Sequence, residues 1–154
     1  MSSRPGVRLA VDVGRARVGI ARSDRDGLMA VPVETAPRDR ALDVLRALAA
    51  EYSPLEMVVG LPISLSGNHT PSTADAVDFA KELAAAVDVP VRLVDERLST
   101  VSAMAGLHLS GKSAKSAKPM IDQASAVIIL QHCLDTEKNT GSPPGSVVGE
   151  DAND

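Results

Sequence analysis

Aromatic residues and cysteine are scarce in this 154-residue chain. It holds one Phe, one Tyr and no Trp, so aliphatic side chains must build the core, and an aromatic platform for stacking bases is nearly excluded. The single cysteine, Cys133, cannot form an internal disulfide, which is typical of a reducing compartment. No apolar run approaches the roughly 20 residues of a membrane span. Because the first residues also lack a signal-peptide pattern, we expect a soluble cytoplasmic protein without a membrane partner.

Excess positive charge is also missing, because the formal net charge at pH 7 is −4. An acidic chain is a poor general binder of polyanions, so any contact with nucleic acid must come from a local basic patch. The length and the hydrophobic fraction of 44% fit one globular domain and exclude two large ones. We assign this domain to residues 1–136. Residues 137–154 are acidic and rich in Gly, Pro and Ser, which predicts a disordered tail.

The pattern of apolar residues predicts an α/β fold. Three strand-like segments come first, and Pro32 in the third favours a sheet edge because proline cannot donate to a β-ladder. Helical spacing then alternates with two short apolar strands, which need crossover connections and should lie parallel to the first strand. Thr70-Pro71 is a typical helix start, with Thr as the cap. The prediction is a mixed five-stranded sheet, formed by a three-strand antiparallel meander plus two parallel strands, flanked by helices over 38–52, from 70 onward, over 99–109 and over 119–135.

Three acids interrupt otherwise apolar stretches. Asp12 lies inside the first strand, and Glu96 follows Asp95 just past the last strand. Asp122 lies in the first turn of the last predicted helix, where it can simply complement the positive helix end, and the two acids near residue 96 can be ordinary strand-end residues. Asp12 needs more, because a carboxylate in a buried strand is costly without a cation, several donors or a salt bridge. Arg17, across the turn, is a candidate for that salt bridge.

A shared divalent cation accounts for all three acids together. If the first and last strands are neighbours and the last helix packs over their ends, the carboxylates of Asp12, Glu96 and Asp122 converge. Carboxylates a few ångströms apart repel one another unless a cation holds them. Oxygen ligands without Cys or paired His suit Mg²⁺ or Mn²⁺. Two such ions about 4 Å apart can activate a water and stabilise a leaving oxygen at a phosphodiester.

A run of lysines leads into the helix that bears Asp122. Lys112, Lys115 and Lys118 lie in "SGKSAKSAK", which we interpret as a flexible loop. A solvated surface loop is one explanation for these lysines. Beside a metal site, the same three ammonium groups would instead hold phosphates in an otherwise acidic protein.

Four segments resemble the signature blocks of one family. They are "VDVGRARVGIARSD", "VVGLPISLSG", "VDERLST" and "IDQASAVIILQHCLD", and their order and spacing between about residues 7 and 135 resemble those of the YqgF/RuvX family. The resemblance implies a ribonuclease-H-like fold, which agrees with the mixed sheet predicted above. In the final block, Ser125-Ala126 stand where the family usually has two alanines, and both are small enough for close packing of helix and sheet.

The resemblance also implies a function and the residues that carry it. Members of the family are described as Holliday-junction resolvases or as nucleases that mature the 5′ end of pre-16S ribosomal RNA. The acidic positions of their motifs fall on Asp12, Glu96 and Asp122, as catalytic residues and ligands of Mg²⁺ or Mn²⁺. Arg17 and Arg97 also fall on motif positions and are predicted, with the three lysines, to bind substrate.

The prediction is therefore a metal-dependent endonuclease that acts on structured nucleic acid, with the 5′ end of pre-16S rRNA as the favoured substrate and Holliday-junction cleavage as the alternative. Junction cleavage would require a homodimer, because two symmetric cuts need two sites. A non-catalytic nucleic-acid-binding module is a further alternative, against which the presence of all three acids argues. The D-x-G hairpin also resembles that of actin-like ATPases and sugar kinases, but those folds need two such domains and this chain has the length for one.

Overall fold

The computed structural model describes residues 4–64, 66–96 and 114–149, with the side chains of the last helix described from Gln123 onward. The predicted helix over 99–109, Arg97 and Lys112 lie outside the described residues. Of the helices within these ranges, none is long and apolar enough to span a bilayer. In chain order the elements are β1 (Arg8–Val13), β2 (Arg17–Ser23), β3 (Ala30–Pro37), a 3-10 turn (Arg38–Arg40), α1 (Ala41–Tyr52), β4 (Glu56–Leu61), α2 (Pro71–Ala86), β5 (Val91–Asp95), α3 (Ala114–Thr140) and β6 (Ser146–Val147).

The sheet confirms the predicted α/β class and mixed topology. Its strand order is β3-β2-β1-β4-β5-β6. β1, β2 and β3 form the antiparallel meander, while β4 pairs parallel with β1, and β5 pairs parallel with β4. Pro32 lies in β3, which is an edge strand of the sheet. An edge strand has no hydrogen-bonding partner on its open side, so it tolerates a residue that lacks an N–H.

The sheet has six strands rather than the predicted five. β6 pairs antiparallel with β5 and lies inside the segment that was expected to be disordered. The Val148 N–H donates to the Val91 carbonyl at 2.7 Å, and the Val148 side chain packs against the core. The outer side of β5 offers unpaired backbone groups, and a returning chain satisfies them whatever its composition. The expectation of a disordered tail is therefore wrong for 137–149, and 150–154 lie outside the described residues.

α2 begins where the sequence predicts, whereas α1 and α3 begin at other residues than predicted. α2 begins at Pro71 with Thr70 as N-cap, and the backbone N–H of Thr73 donates to the Thr70 hydroxyl at 3.3 Å. α1 begins at residue 41 after the 3-10 turn, three residues later than predicted. α3 begins at residue 114, five residues before Pro119, because the Ala and Lys residues of this segment favour helix. Lys115 and Lys118 are therefore helical rather than in a loop, and Asp122 lies in the third turn of the helix rather than in its first.

Strand alternation divides the core between the two faces of the sheet. One face of the sheet presents large aliphatic side chains and packs under α1 and α2, and Phe79 of α2 joins this core. The other face packs under α3 and contains smaller residues, so this helix approaches the sheet closely. Its buried members include Ala10, Ala21, Val58, Val94, Ala126, Ile129 and Leu130.

A buried ionic cluster closes the edge of the sheet where β1, β4 and β5 begin. Arg8 and Glu56 are opposite each other in register, and both side chains are buried. Glu137 of α3 accepts from Arg8 Nη2 at 3.1 Å and from Arg4 Nη2 at 2.9 Å. Glu56 is paired with Arg92 Nε at 3.2 Å. We call these five residues the ionic cluster; no pattern along the sequence predicts it.

Cys133 lies in the α3 core as a buried free thiol, as expected for a small apolar side chain. Burial raises the pKa of this thiol to about 12, and the negative charges of Glu56 and Glu137 add to that effect. A thiol with this pKa stays protonated at neutral pH and is a poor nucleophile. The position of Cys133 therefore indicates a packing role.

Candidate active site

Asp12, Gly60 and Glu96 lie on the sheet face that α3 covers. Strand alternation places Asp12 two residues beyond Ala10, and Gly60 two residues beyond Val58, both of which pack under α3. Glu96 stands in the same relation to Val94 of β5. Because β1, β4 and β5 are parallel, their carboxyl ends meet at one edge of the sheet, where open α/β folds bind ligands.

The sequence led us to expect that the first and last predicted strands, which bear Asp12 and precede Glu96, are neighbours. They are not neighbours. β4 lies between β1 and β5. The Glu96 side chain passes over Gly60 of β4 to reach Asp12. A Cβ atom placed on Gly60 would lie 2.9 Å from Glu96 Oε1 and 2.7 Å from Ile129 Cδ1. Glycine therefore leaves the space through which the Glu96 side chain crosses β4 and hydrogen-bonds with Asp12.

The environment of Glu96 disfavours its ionised form. Burial raises the pKa of Glu96, the hydrogen bond with Asp12 opposes that shift, and the negative charge of Asp95 adds to it. A hydrogen bond between two carboxyl groups requires a proton on one of them. Two carboxylates held this close are costly as a pair of anions, and a cation between them would remove that cost.

The turn after Asp12 is tight. The Gly14 N–H donates to the Arg17 carbonyl at 2.9 Å, and a Cβ on Gly14 would lie only 2.7 Å from that oxygen. Asp12 stands opposite Gly19 in the register of β1 and β2. Arg17 is two residues from Gly19 and therefore shares its face of the sheet, and its pairing with Asp12 stays a prediction.

Two glutamines hold α3 against the edge strand. Gln123 Nε2 donates to Thr35 Oγ1 at 3.0 Å, and Gln131 Oε1 accepts from the Ala30 N–H at 2.9 Å. These bonds set the position of the helix across the sheet face that carries Asp12. They were not predicted, because glutamines on a helix give no sequence signal for a distant partner.

The described residues bring together two of the three predicted acids, Asp12 and Glu96. Within these ranges, no group of three or more His, Cys, Asp or Glu side chains forms a ready metal site. Asp122, Lys115 and Lys118 are described as helix backbone only. The sequence predicts a strand-to-loop turn over residues 60–62 with its backbone near the site. The structure instead places Gly60 inside β4, where it lies against the Glu96 side chain, and a glycine inside a buried strand often marks such a close approach.

Replacing Gly60 with alanine is expected to lower the cleavage rate about tenfold to a hundredfold, because the new methyl group displaces the Glu96 carboxyl. Contact with Ile129 should also lower the free energy of unfolding by about 1–3 kcal/mol. Cleavage assays and urea denaturation of the same preparations measure the two effects.

The Ile129→Val change provides the control, because it removes the Cδ1 atom that the alanine would meet. The double variant Gly60→Ala/Ile129→Val should regain much of the stability but not the cleavage rate. If the rate also recovers, crowding of Glu96 is not the cause of the loss.

Comparison with known proteins identifies the family of this chain. A family profile described as RuvX: Holliday junction resolvase matches residues 6–136. A protein named as a pre-16S rRNA nuclease from Clavibacter michiganensis subsp. michiganensis (strain NCPPB 382) is 60% identical over 149 residues, which cover 94% of this chain and 92% of that one. A protein of the same name from Leifsonia xyli subsp. xyli (strain CTCB07) is 53% identical over 148 residues, which cover 94% and 96%.

A solved structure supports the fold. T. thermophilus RuvC, in complex with a Holliday junction substrate, is similar with a TM-score of 0.57 and 14% identity, covering 93% of this chain and 99% of that one. At this identity the likeness concerns the fold, which confirms the ribonuclease-H-like expectation. With a family profile that spans nearly the whole described domain and relatives above 50% identity, the chain belongs to the RuvX (YqgF) family.

Proposed function

We propose that this protein is a metal-dependent endonuclease that processes the 5′ end of pre-16S rRNA. The observation that carries the proposal is the meeting of Asp12 and Glu96 across Gly60, at the carboxyl ends of three parallel strands. Asp12, Glu96 and Asp122 are the proposed metal ligands and catalytic residues. Relatives that align over more than nine-tenths of both chains are named as pre-16S rRNA nucleases, which supports the substrate.

The donor set fits Mg²⁺ or Mn²⁺. Asp12 and Glu96 offer carboxylate oxygens only, and hard divalent ions prefer such ligands. Asp122 precedes Ala126 and Ile129 by four and seven residues, which is helical spacing, and this supports its assignment as the third ligand because those two residues pack on the sheet face carrying the other acids. Asp12, Glu96 and Asp122 would hold these ions, which when bound would supply charge stabilisation for a phosphodiester and an activated water.

We assign substrate binding to basic residues of the motif blocks and of the lysine run before Asp122. Lys115 and Lys118 precede Asp122 by seven and four residues on α3, and this nearness along the helix supports the assignment. Lys112, Arg97 and Arg17 complete the proposed set. In a chain of net charge −4, such a local group is what would hold the phosphate backbone.

Replacing Lys112, Lys115 and Lys118 together with alanine is expected to weaken RNA binding for all sequences alike. The slope of log Kobs against log salt concentration, which is negative, should become less steep by about 2–3, close to one for each phosphate that a lysine no longer neutralises. The matched control is Lys81→Ala/Lys138→Ala, which removes exposed lysines of α2 and α3. An unaltered slope in the triple variant would place the phosphate-binding residues elsewhere.

Side-by-side cleavage assays test the proposed function. Purified protein with Mn²⁺ or Mg²⁺ should cut precursor 16S rRNA at its 5′ end, and excess chelator should abolish the activity. A four-way DNA junction is the second substrate, because the family description names a resolvase. Preferred cleavage of the junction, with a dimer making two symmetric cuts, would favour resolution over RNA processing. Cleavage that persists in chelator would contradict the metal requirement.

A further inference from the structure

Arg38, the first residue of the 3-10 turn after β3, contacts the turn that follows Asp12. Its Nη1 donates to the Gly14 carbonyl at 2.9 Å, and its backbone N–H donates to the Ala16 carbonyl at 2.9 Å. Both acceptors belong to the turn between β1 and β2, and Gly14 is only two residues beyond Asp12. One residue, distant in sequence, therefore holds the turn at two points.

The guanidinium is itself fixed from α2. Its Nη1 and Nη2 donate to the two carboxylate oxygens of Asp75, each at 2.9 Å, and its carbon lies 5.1 Å from the centre of the Phe79 ring. This bidentate pair is the geometry in which arginine is held most rigidly. The hydrogen bonds from Arg38 also lower the pKa of Asp75, so the pair stays ionised at neutral pH.

We propose that Arg38, clamped by Asp75 and Phe79, is a positioning residue that fixes the Gly14 turn and through it the carboxyl group of Asp12. The inference rests on the proposed function, in which Asp12 is a metal ligand. Ligand geometry in such sites must hold within about half an ångström, and a displacement of about 1 Å can cost roughly a hundredfold in rate. The Gly14 carbonyl is close enough along the chain to pass on such a displacement.

The same contacts argue against two other roles for Arg38, which are phosphate binding and stabilisation of the fold. Both Nη atoms donate hydrogen bonds to Asp75 or Gly14, so the guanidinium binds groups of the protein rather than a phosphate. The side chains of Arg38 and Asp75 are 25% and 39% exposed, and ion pairs at that exposure contribute little to stability. Loss of the ion pair should therefore change the geometry of the site more than the stability of the fold.

The test is the Arg38→Met variant of the full chain. We expect kcat to fall about tenfold to a hundredfold, and the Mn²⁺ concentration for half-saturation, measured by electron paramagnetic resonance without substrate, to rise about tenfold. KM for the RNA should stay within about twofold, and the melting temperature should fall by less than about 4 °C. Arg46→Met, which changes an exposed arginine of α1, is the matched control with unchanged values.

A charge swap separates positioning from stability. In Arg38→Asp/Asp75→Arg the ion pair can form again, but an aspartate at position 38 cannot donate to the Gly14 carbonyl. The melting temperature should recover while kcat and Mn²⁺ affinity do not. Recovery of kcat with the melting temperature would overturn the inference, as would an Arg38→Met variant with raised KM and unchanged kcat.

The Asp12→Asn variant distinguishes failure of this inference from failure of the proposed function. If Asp12→Asn is inactive while Arg38→Met keeps the kcat and Mn²⁺ affinity of the unmodified protein, only the positioning role is wrong. If Asp12→Asn is fully active, the proposed site itself is wrong.

Discussion

The Asp12→Asn variant is expected to cleave at least about 10³-fold more slowly than the unmodified protein while it still binds RNA. Asparagine keeps the shape of the side chain but loses the charge that would hold a divalent ion between Asp12 and Glu96. The phosphate contacts are assigned to other, basic residues, so affinity for RNA should be unchanged or slightly higher. Single-turnover cleavage and filter binding on the same RNA measure the two quantities.

Thermal unfolding gives an independent check on the same variant. Mg²⁺ should raise the melting temperature of the unmodified protein, because an ion that binds only the folded state stabilises it, and this increase should be absent in Asp12→Asn. Without metal the variant should melt slightly higher, since an amide can donate to the Glu96 carboxylate without the proton that the hydrogen bond between Asp12 and Glu96 requires. Asp43→Asn, at an exposed position of α1, is the control for removing one acid. Cleavage at the normal rate by Asp12→Asn would refute the proposed site.

Of the single substitutions for which we predict an effect, Glu137→Gln should show the largest loss of stability, about 3–5 kcal/mol in the free energy of unfolding. Glu137 accepts hydrogen bonds from the backbone N–H, Nε and Nη2 of Arg4 and from Nη2 of Arg8. The Arg8 side chain is 2% exposed, so the variant leaves a cation buried with its carboxylate partner removed. Urea denaturation measures the loss, and Glu82→Gln on the exposed face of α2 is the matched control.

The effect of Glu137 on stability should depend on pH in a defined range. Burial alone would raise the pKa of this carboxyl, but the hydrogen bonds from Arg4 and the charges of Arg4 and Arg8 outweigh it and lower the pKa to about 2. A carboxyl whose pKa is lowered on folding contributes fully above its unfolded value, 4.5, and loses that contribution as the pH falls toward about 2. The difference in stability between the unmodified protein and Glu137→Gln should therefore shrink over this range. A constant difference from about pH 7 to about pH 2 would contradict the role of the ion pairs.

The sequence by itself determined the class of fold and the identity of the candidate acids. The meander, the parallel strands and the start of α2 follow from short-range signals, such as the apolar runs, Pro32 and the Thr70 cap. Asp12 was recognisable because a carboxylate inside an apolar strand needs compensation, and that argument requires no knowledge of its partner. The four motif blocks indicate the family in the same way, since they are patterns of residue types along the chain.

Only the tertiary structure decided how the parts meet. The order of strands puts β4 between β1 and β5, and this brings Gly60 against the Glu96 side chain. Arg8 and Glu137 are 129 residues apart in the chain, and β6 pairs with β5 from a segment whose composition indicates disorder. Such contacts depend on which surfaces are brought together, and periodicity, capping and turn signals report only on neighbours along the chain. For the same reason Arg38 is an ordinary surface arginine in the sequence, and becomes a proposed support for Asp12 only when β3 and α2 are in place.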